Sequence, residues 1–180
     1  MSWYDAVFEV IDMRSFSNLW FWIALAVLWS SVSHWVIGVP FDMITRARRA
    51  PKTPDDTEAM DDFHDLVRVN VNRILYIADV SGIWLLLFGS AALTALTVMS
   101  TLYNIEFAQA LLLLVLPMCF VGALSLRTAR KIRESGDLGP PLIKRLMMHR
   151  FMTQLIGVVS IFVTAMYGMY KNLYIGVIGY

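Results

Sequence analysis

Residues 74–99 read ILYIADVSGIWLLLFGSAALTALTVM, an apolar run interrupted by a single charge, Asp79. A helix crosses a hydrocarbon core with about 20 residues, so the run is long enough, and residues 19–39, 107–126 and 151–170 match it. In lipid no water is at hand to satisfy a loose backbone, which forces such segments to be helical. The expected fold class is therefore all-α: an integral membrane four-helix bundle forming one domain over residues 1–180. Hydrophobic residues make up 58% and charged residues 16% of the chain, against about 45–50% and about 25% for a soluble domain. That leaves no room for a separate soluble catalytic domain.

The charges that remain are unevenly placed. Residues 40–73 hold Arg46, Arg48, Arg49, Lys52, Arg68 and Arg73, and residues 127–150 hold Arg127, Arg130, Lys131, Arg133, Lys144, Arg145 and Arg150. Only Arg14 and Lys171 lie elsewhere, so both of those connections are expected in the cytoplasm and both termini outside, in the inner membrane. No cleavable leader is expected, because the chain opens Trp3-Tyr4-Asp5 rather than on positive charge. Residues 2–13 read as an amphipathic helix on the outer surface. Trp3, Tyr4, Val7, Phe8 and Ile11 form one face, Asp5, Glu9 and Asp12 the other, and Ser2 with Asp5 gives a capping-box start.

The cytoplasmic connections read as helical extensions. Thr53 can cap, Pro54 suits a first helical position, and Met60, Phe63, Val67, Val71 and Ile74 recur at helical steps. That helix either lies along the membrane or runs straight into the second span. Ser135-Gly136 should stop a helix and Gly139-Pro140-Pro141 begin the next, while the short 100–106 link makes spans two and three antiparallel neighbours.

Few residues carry chemistry. Asp79 is costly in a span and marks either a functional site or a pair with Arg73 at the interface. With His34, His149 and Gln154 at about one depth, Asp79 and Arg73 form a candidate polar intramembrane network. His34 and His149 are also the candidate axial ligands of a haem, since haem iron takes imidazole, although no attachment motif accompanies them. The single cysteine, Cys119, excludes an intramolecular disulfide and a cysteine-only metal site; it is expected to be a small buried hydrophobe. No metal site, catalytic constellation or phosphate loop is evident, so the expectation is a protein that is not an enzyme and has no cofactor. The basic run Arg46-Ala47-Arg48-Arg49 beside a span is read as a topology signal contacting anionic lipid, with no role for nucleic acid.

Trp20, Phe21 and Trp22 and, at the other end, Trp35 fit interfacial belts, and Trp29 at mid-depth is expected to face lipid. Small residues form two stripes: Ser160, Thr164 and Gly168 on the fourth span, and Gly89 with Ala92 on the second. Such stripes let helices approach closely and define a packing interface, within the chain or with another.

The stretch 8–41, with Ile11-Asp12-Met13-Arg14-Ser15-Phe16-Ser17-Asn18-Leu19-Trp20 and Ser33-His34-Trp35-Val36-Ile37-Gly38-Val39-Pro40, resembles a family of small polytopic inner-membrane proteins of purple-bacterial relatives. That family has no established activity, so the resemblance implies a four-span fold and no catalytic residue. Some members are labelled as associated with iron–sulfur assembly, for which this chain offers no ligands. Three functional expectations follow. The first is a non-catalytic accessory or assembly subunit of a larger energy-transducing complex, with other membrane subunits and phospholipids as partners. The second is a small homo-oligomeric channel or proton- or ion-coupled transporter using Asp79 and the His34 region. The third is a haem-binding redox protein.

Overall fold

The computed structural model describes residues 15–49 and 54–178. The expected surface helix at 2–13 lies outside the described residues. A 3-10 turn at Ser15–Ser17 leads into α1 (Leu19–His34), the short strands β1 (Trp35–Val36) and β2 (Val39–Pro40), α2 (Phe41–Arg49), α3 (Pro54–Thr101), α4 (Glu106–Ser135) and α5 (Pro140–Ile178). Among the described residues the regular structure is all helical apart from this hairpin. Three helices, over Met60–Thr101, Glu106–Ser135 and Pro140–Leu173, are long and apolar enough to cross a membrane.

The first apolar run behaves differently from expectation. It is helical for 16 residues only, a rise of about 24 Å at about 1.5 Å per residue. The remainder of 19–39 turns into the hairpin, with Trp35 opposite Pro40 and Val36 opposite Val39. Ile37 and Gly38 make the turn at φ of 54° and 76°. Positive φ suits glycine and strains a β-branched residue. Asn70 holds the loop in place, its amide donating to the carbonyl oxygens of Leu66 at 3.0 Å and Gly38 at 3.4 Å.

The extensions form as their punctuation implies. Pro54 opens α3, which continues without a break for 48 residues into the apolar run. Gly136 takes φ 61° and donates its N–H to the Ile132 carbonyl at 3.1 Å, closing α4; Gly139, at φ 60°, precedes Pro140. The link from α3 to α4 is only 102–105. It is closed by the Gln109 amide donating to the Ser100 carbonyl at 2.9 Å.

The chain divides into two compact units. One comprises the described residues up to Trp29, Leu87–Met118 and those from Gly157 on; the other comprises Ser30–Leu86 and Cys119–Ile156. The second unit is centred on aliphatic side chains. Phe63, Val67, Val71 and Leu75 of α3, at the spacing noted in sequence, meet Ala129 and Ile132 of α4, Leu142 and Leu146 of α5, and Val39 and Ile44 near the hairpin. The first unit is centred on aromatics. Phe16 lies edge-on to Phe21 at 5.2 Å and to Tyr167 at 5.4 Å. Its backbone N–H donates to Glu106 Oε1 at 2.8 Å, and its carbonyl accepts from Trp22 Nε1 at 3.2 Å.

Three expectations are corrected by packing. Phe21 is fully buried rather than part of a lipid-facing belt. Trp29 is buried, not lipid-facing, because Gly157 leaves a slot for its ring; a Cβ at that glycine would stand 2.8 Å from Trp29 Cε3. Cys119 is exposed. The surface around it, with Leu116 and Phe120 also exposed, is as apolar as a core, so a hydrophobe there needs no burial.

Gly157→Leu should therefore force the Trp29 ring aside and cost about 1–3 kcal/mol, the usual penalty of overpacking. Gly122→Leu, where an added Cβ meets nothing within 4 Å, should leave the melting temperature of detergent-solubilised protein nearly unchanged. Equal losses for the two variants would contradict the packing described.

Candidate functional site

The polar residues expected at one depth are not drawn into a single network. Asp79 and Arg73 are six positions apart on α3, which places them on different sides of the helix, and both are exposed. Among the described residues Asp79 forms no ion pair, and Gln154 is exposed. His34 is exposed at the end of α1, its ring edge-on to Trp35 at 5.8 Å. No hydrogen bond or ring contact joins it to His149 among the described residues, and no cluster there of three or more His, Cys, Asp or Glu side chains is placed to hold a metal ion.

His149 is the exception, because it is buried and specifically partnered. Its Nδ1 lies 3.1 Å from Thr128 Oγ1 and its Nε2 lies 3.5 Å from Ser125 Oγ. Both hydroxyls already donate within α4, Thr128 to the Leu124 carbonyl at 2.8 Å and Ser125 to the Val121 carbonyl at 2.9 Å. A hydroxyl has one proton and two lone pairs, so each can only accept from the imidazole. With both hydroxyl protons on those carbonyls, the shorter contact would take the single N–H of a neutral ring, the Nδ1–H tautomer. The histidine thereby ties α5 to α4.

Two further polar residues carried no signal in the sequence. His64 accepts the Gly139 N–H at its Nε2, 3.1 Å away, and so holds the turn before α5 against α3. Asn70 pins the hairpin as described. Neither has a periodicity or motif that would have singled it out.

The basic residues of this unit divide by partner. Arg145 pairs with Asp137 at 2.6 Å, Arg68 with Asp65 at 3.0 Å, and the Arg150 guanidinium lies 3.2 Å from the centre of the Phe41 ring. Arg48 reaches only the Met147 sulfur, at 3.7 Å, and Lys144 has no carboxylate among the described residues. Both line a cavity of 690 Å³ whose other walls include Met60, Met147, Met148 and Phe151. It is an apolar cavity with two cations.

The two small-residue stripes have different fates. On α5, Thr164 is fully buried, Ser160 nearly so, and a Cβ on Gly168 would lie 3.2 Å from the Trp22 ring. On α3, Ala92 is exposed, and a Cβ on Gly89 would meet nothing within 4 Å. The features together define a helical membrane protein. No protein-family model, curated protein or solved structure matches the chain.

The tautomer of His149 has a measurable consequence. Thr128→Val leaves a buried N–H without an acceptor and should cost about 1–3 kcal/mol, read as a lower melting temperature in detergent. Ser125→Ala removes only the longer contact and should cost clearly less. The reverse order would assign the proton to Nε2.

Proposed function

We propose that this chain is a non-catalytic accessory or assembly subunit of a larger energy-transducing complex of the bacterial inner membrane. The observation that carries the reading is the state of α3: from Tyr76 to Met99 none of its residues is buried. A chain that spends small residues at Gly89 and Ala92 on a helix it does not itself cover is suited to receive another helix there. The stripe on α5 is used within the chain, so α3 is where a partner subunit would dock. The setting in the inner membrane is supplied by the resemblance of residues 8–41 to purple-bacterial membrane proteins.

In this reading four helices cross the membrane, with α1 as a short fourth. Its support is that α1, like α3, α4 and α5, contributes to both compact units. The segments 40–73 and 127–150, which hold thirteen of the fifteen Lys and Arg residues, then face the cytoplasm and both termini face out.

Tagged protein extracted in mild detergent should co-purify with other membrane chains in fixed proportion. Gly89→Leu should remove those chains while leaving the melting temperature of the isolated protein unchanged. A homo-oligomer free of other chains would favour a channel instead, and full recovery of the complex with Gly89→Leu would exclude this face. Topology is checked separately. Reporters fused at Gly136 should read cytoplasmic and those at either terminus external; a cytoplasmic N-terminus with an external C-terminus would mean that α1 does not cross.

A further inference from the structure

We infer that the cavity beside α2 and the start of α5 is a specific site for an anionic phospholipid, with the headgroup phosphate held between Arg48 and Lys144. This goes beyond the subunit reading and does not depend on it.

The site has the two halves that an anionic amphiphile requires. Its lining carries two cations, Arg48 and Lys144, that have no carboxylate partner among the described residues. The guanidinium of Arg48 rests on a thioether, a weak acceptor that a phosphate oxygen would readily displace. Lys144 is the fifth residue of α5, one turn in from the positive end of the helix. The rest of the lining is apolar. Met60, Met147 and Met148 have flexible thioether side chains that adapt to chains of variable shape.

The two halves are joined in the order in which a lipid presents them. Lys144, Met148, Phe151 and Leu155 follow at steps of four, three and four along α5, which puts them on one helical face. Met148, Phe151 and Leu155 are each about half exposed, at 53%, 57% and 49%. A phosphate at Lys144 would therefore continue into an acyl chain lying along that face. The volume, 690 Å³, falls in the range of about 300–1,000 Å³ usual for small-molecule sites. A soluble phosphorylated ligand would match the cations but leave the methionine wall uncovered. A zwitterionic lipid would match the wall, but its own ammonium would oppose the cations.

The test is native mass spectrometry of the full chain in a mild detergent, titrated with phosphatidylglycerol, with phosphatidylcholine of the same acyl chains, and with inorganic phosphate. Phosphatidylglycerol should bind one to a chain and survive activation, phosphatidylcholine should bind weakly, and phosphate should not compete at millimolar concentration. The pair Arg48→Gln with Lys144→Gln should weaken phosphatidylglycerol binding by at least about tenfold, equivalent to the loss of one charge-assisted contact. Arg130→Gln with Lys131→Gln removes the same charge from exposed positions of α4 outside the cavity and should change little. Equal weakening by the two pairs would reduce the effect to diffuse attraction and overturn the site. Equal retention of the two lipids would overturn it as well, and full competition by phosphate would replace the lipid with a free anion.

Discussion

A helix in hydrocarbon gains nothing by hiding a leucine, because lipid is as apolar as the interior of a protein. Packing there depends on shape and on the few polar groups that need partners, and the first unit is built on that constraint. Gly157 admits the Trp29 ring, Gly168 lies beneath Trp22 and Phe16, and the buried Ser160 and Thr164 keep the α5 surface small. The entrance to α1 is fixed by polar contacts instead, with the backbone of Phe16 held between Glu106 and Trp22. The same constraint explains why so many large apolar side chains, such as Ile83 and Leu86 on α3, stay exposed without penalty.

The second unit has an aliphatic core. Phe63, Val67, Val71, Leu142 and Leu146 lie together among the charged extensions of α3, α4 and α5. Because apolar area alone does not specify register, polar links do so at defined points. His149 joins α5 to α4, His64 holds Gly139, and Asn70 holds the hairpin at Gly38. Each uses a buried or half-buried group whose loss of partner would be costly, which makes the arrangement unique as well as stable.

Cations in this unit serve more than topology. A basic segment that only set orientation would need its charges, not their positions. Here Arg145 is committed to Asp137 and Arg150 to the face of Phe41, whereas Arg48 and Lys144 line the cavity. On α3 the situation is parallel but apolar, with Gly89 and Ala92 formed for contact and left outward.

The sequence by itself determined the helices and their punctuation. The run at 74–99, the Met60-to-Ile74 periodicity, Pro54 and Gly136 all act through local backbone physics and appear where they were read. Tertiary structure decided which apolar surface is inside. Trp29, Phe21 and Cys119 were misplaced by hydropathy, because in a membrane segment both the interior and the exterior select the same residues. It also decided the partners of polar groups. Arg73 and Asp79 are neighbours in sequence but lie on different sides of α3, whereas His149 meets Thr128 across 21 positions of chain. The hairpin at Trp35–Pro40 was hidden for a third reason: α1 ends at His34 although the apolar composition runs on, and the turn at Ile37 and Gly38 takes positive φ, which composition does not show.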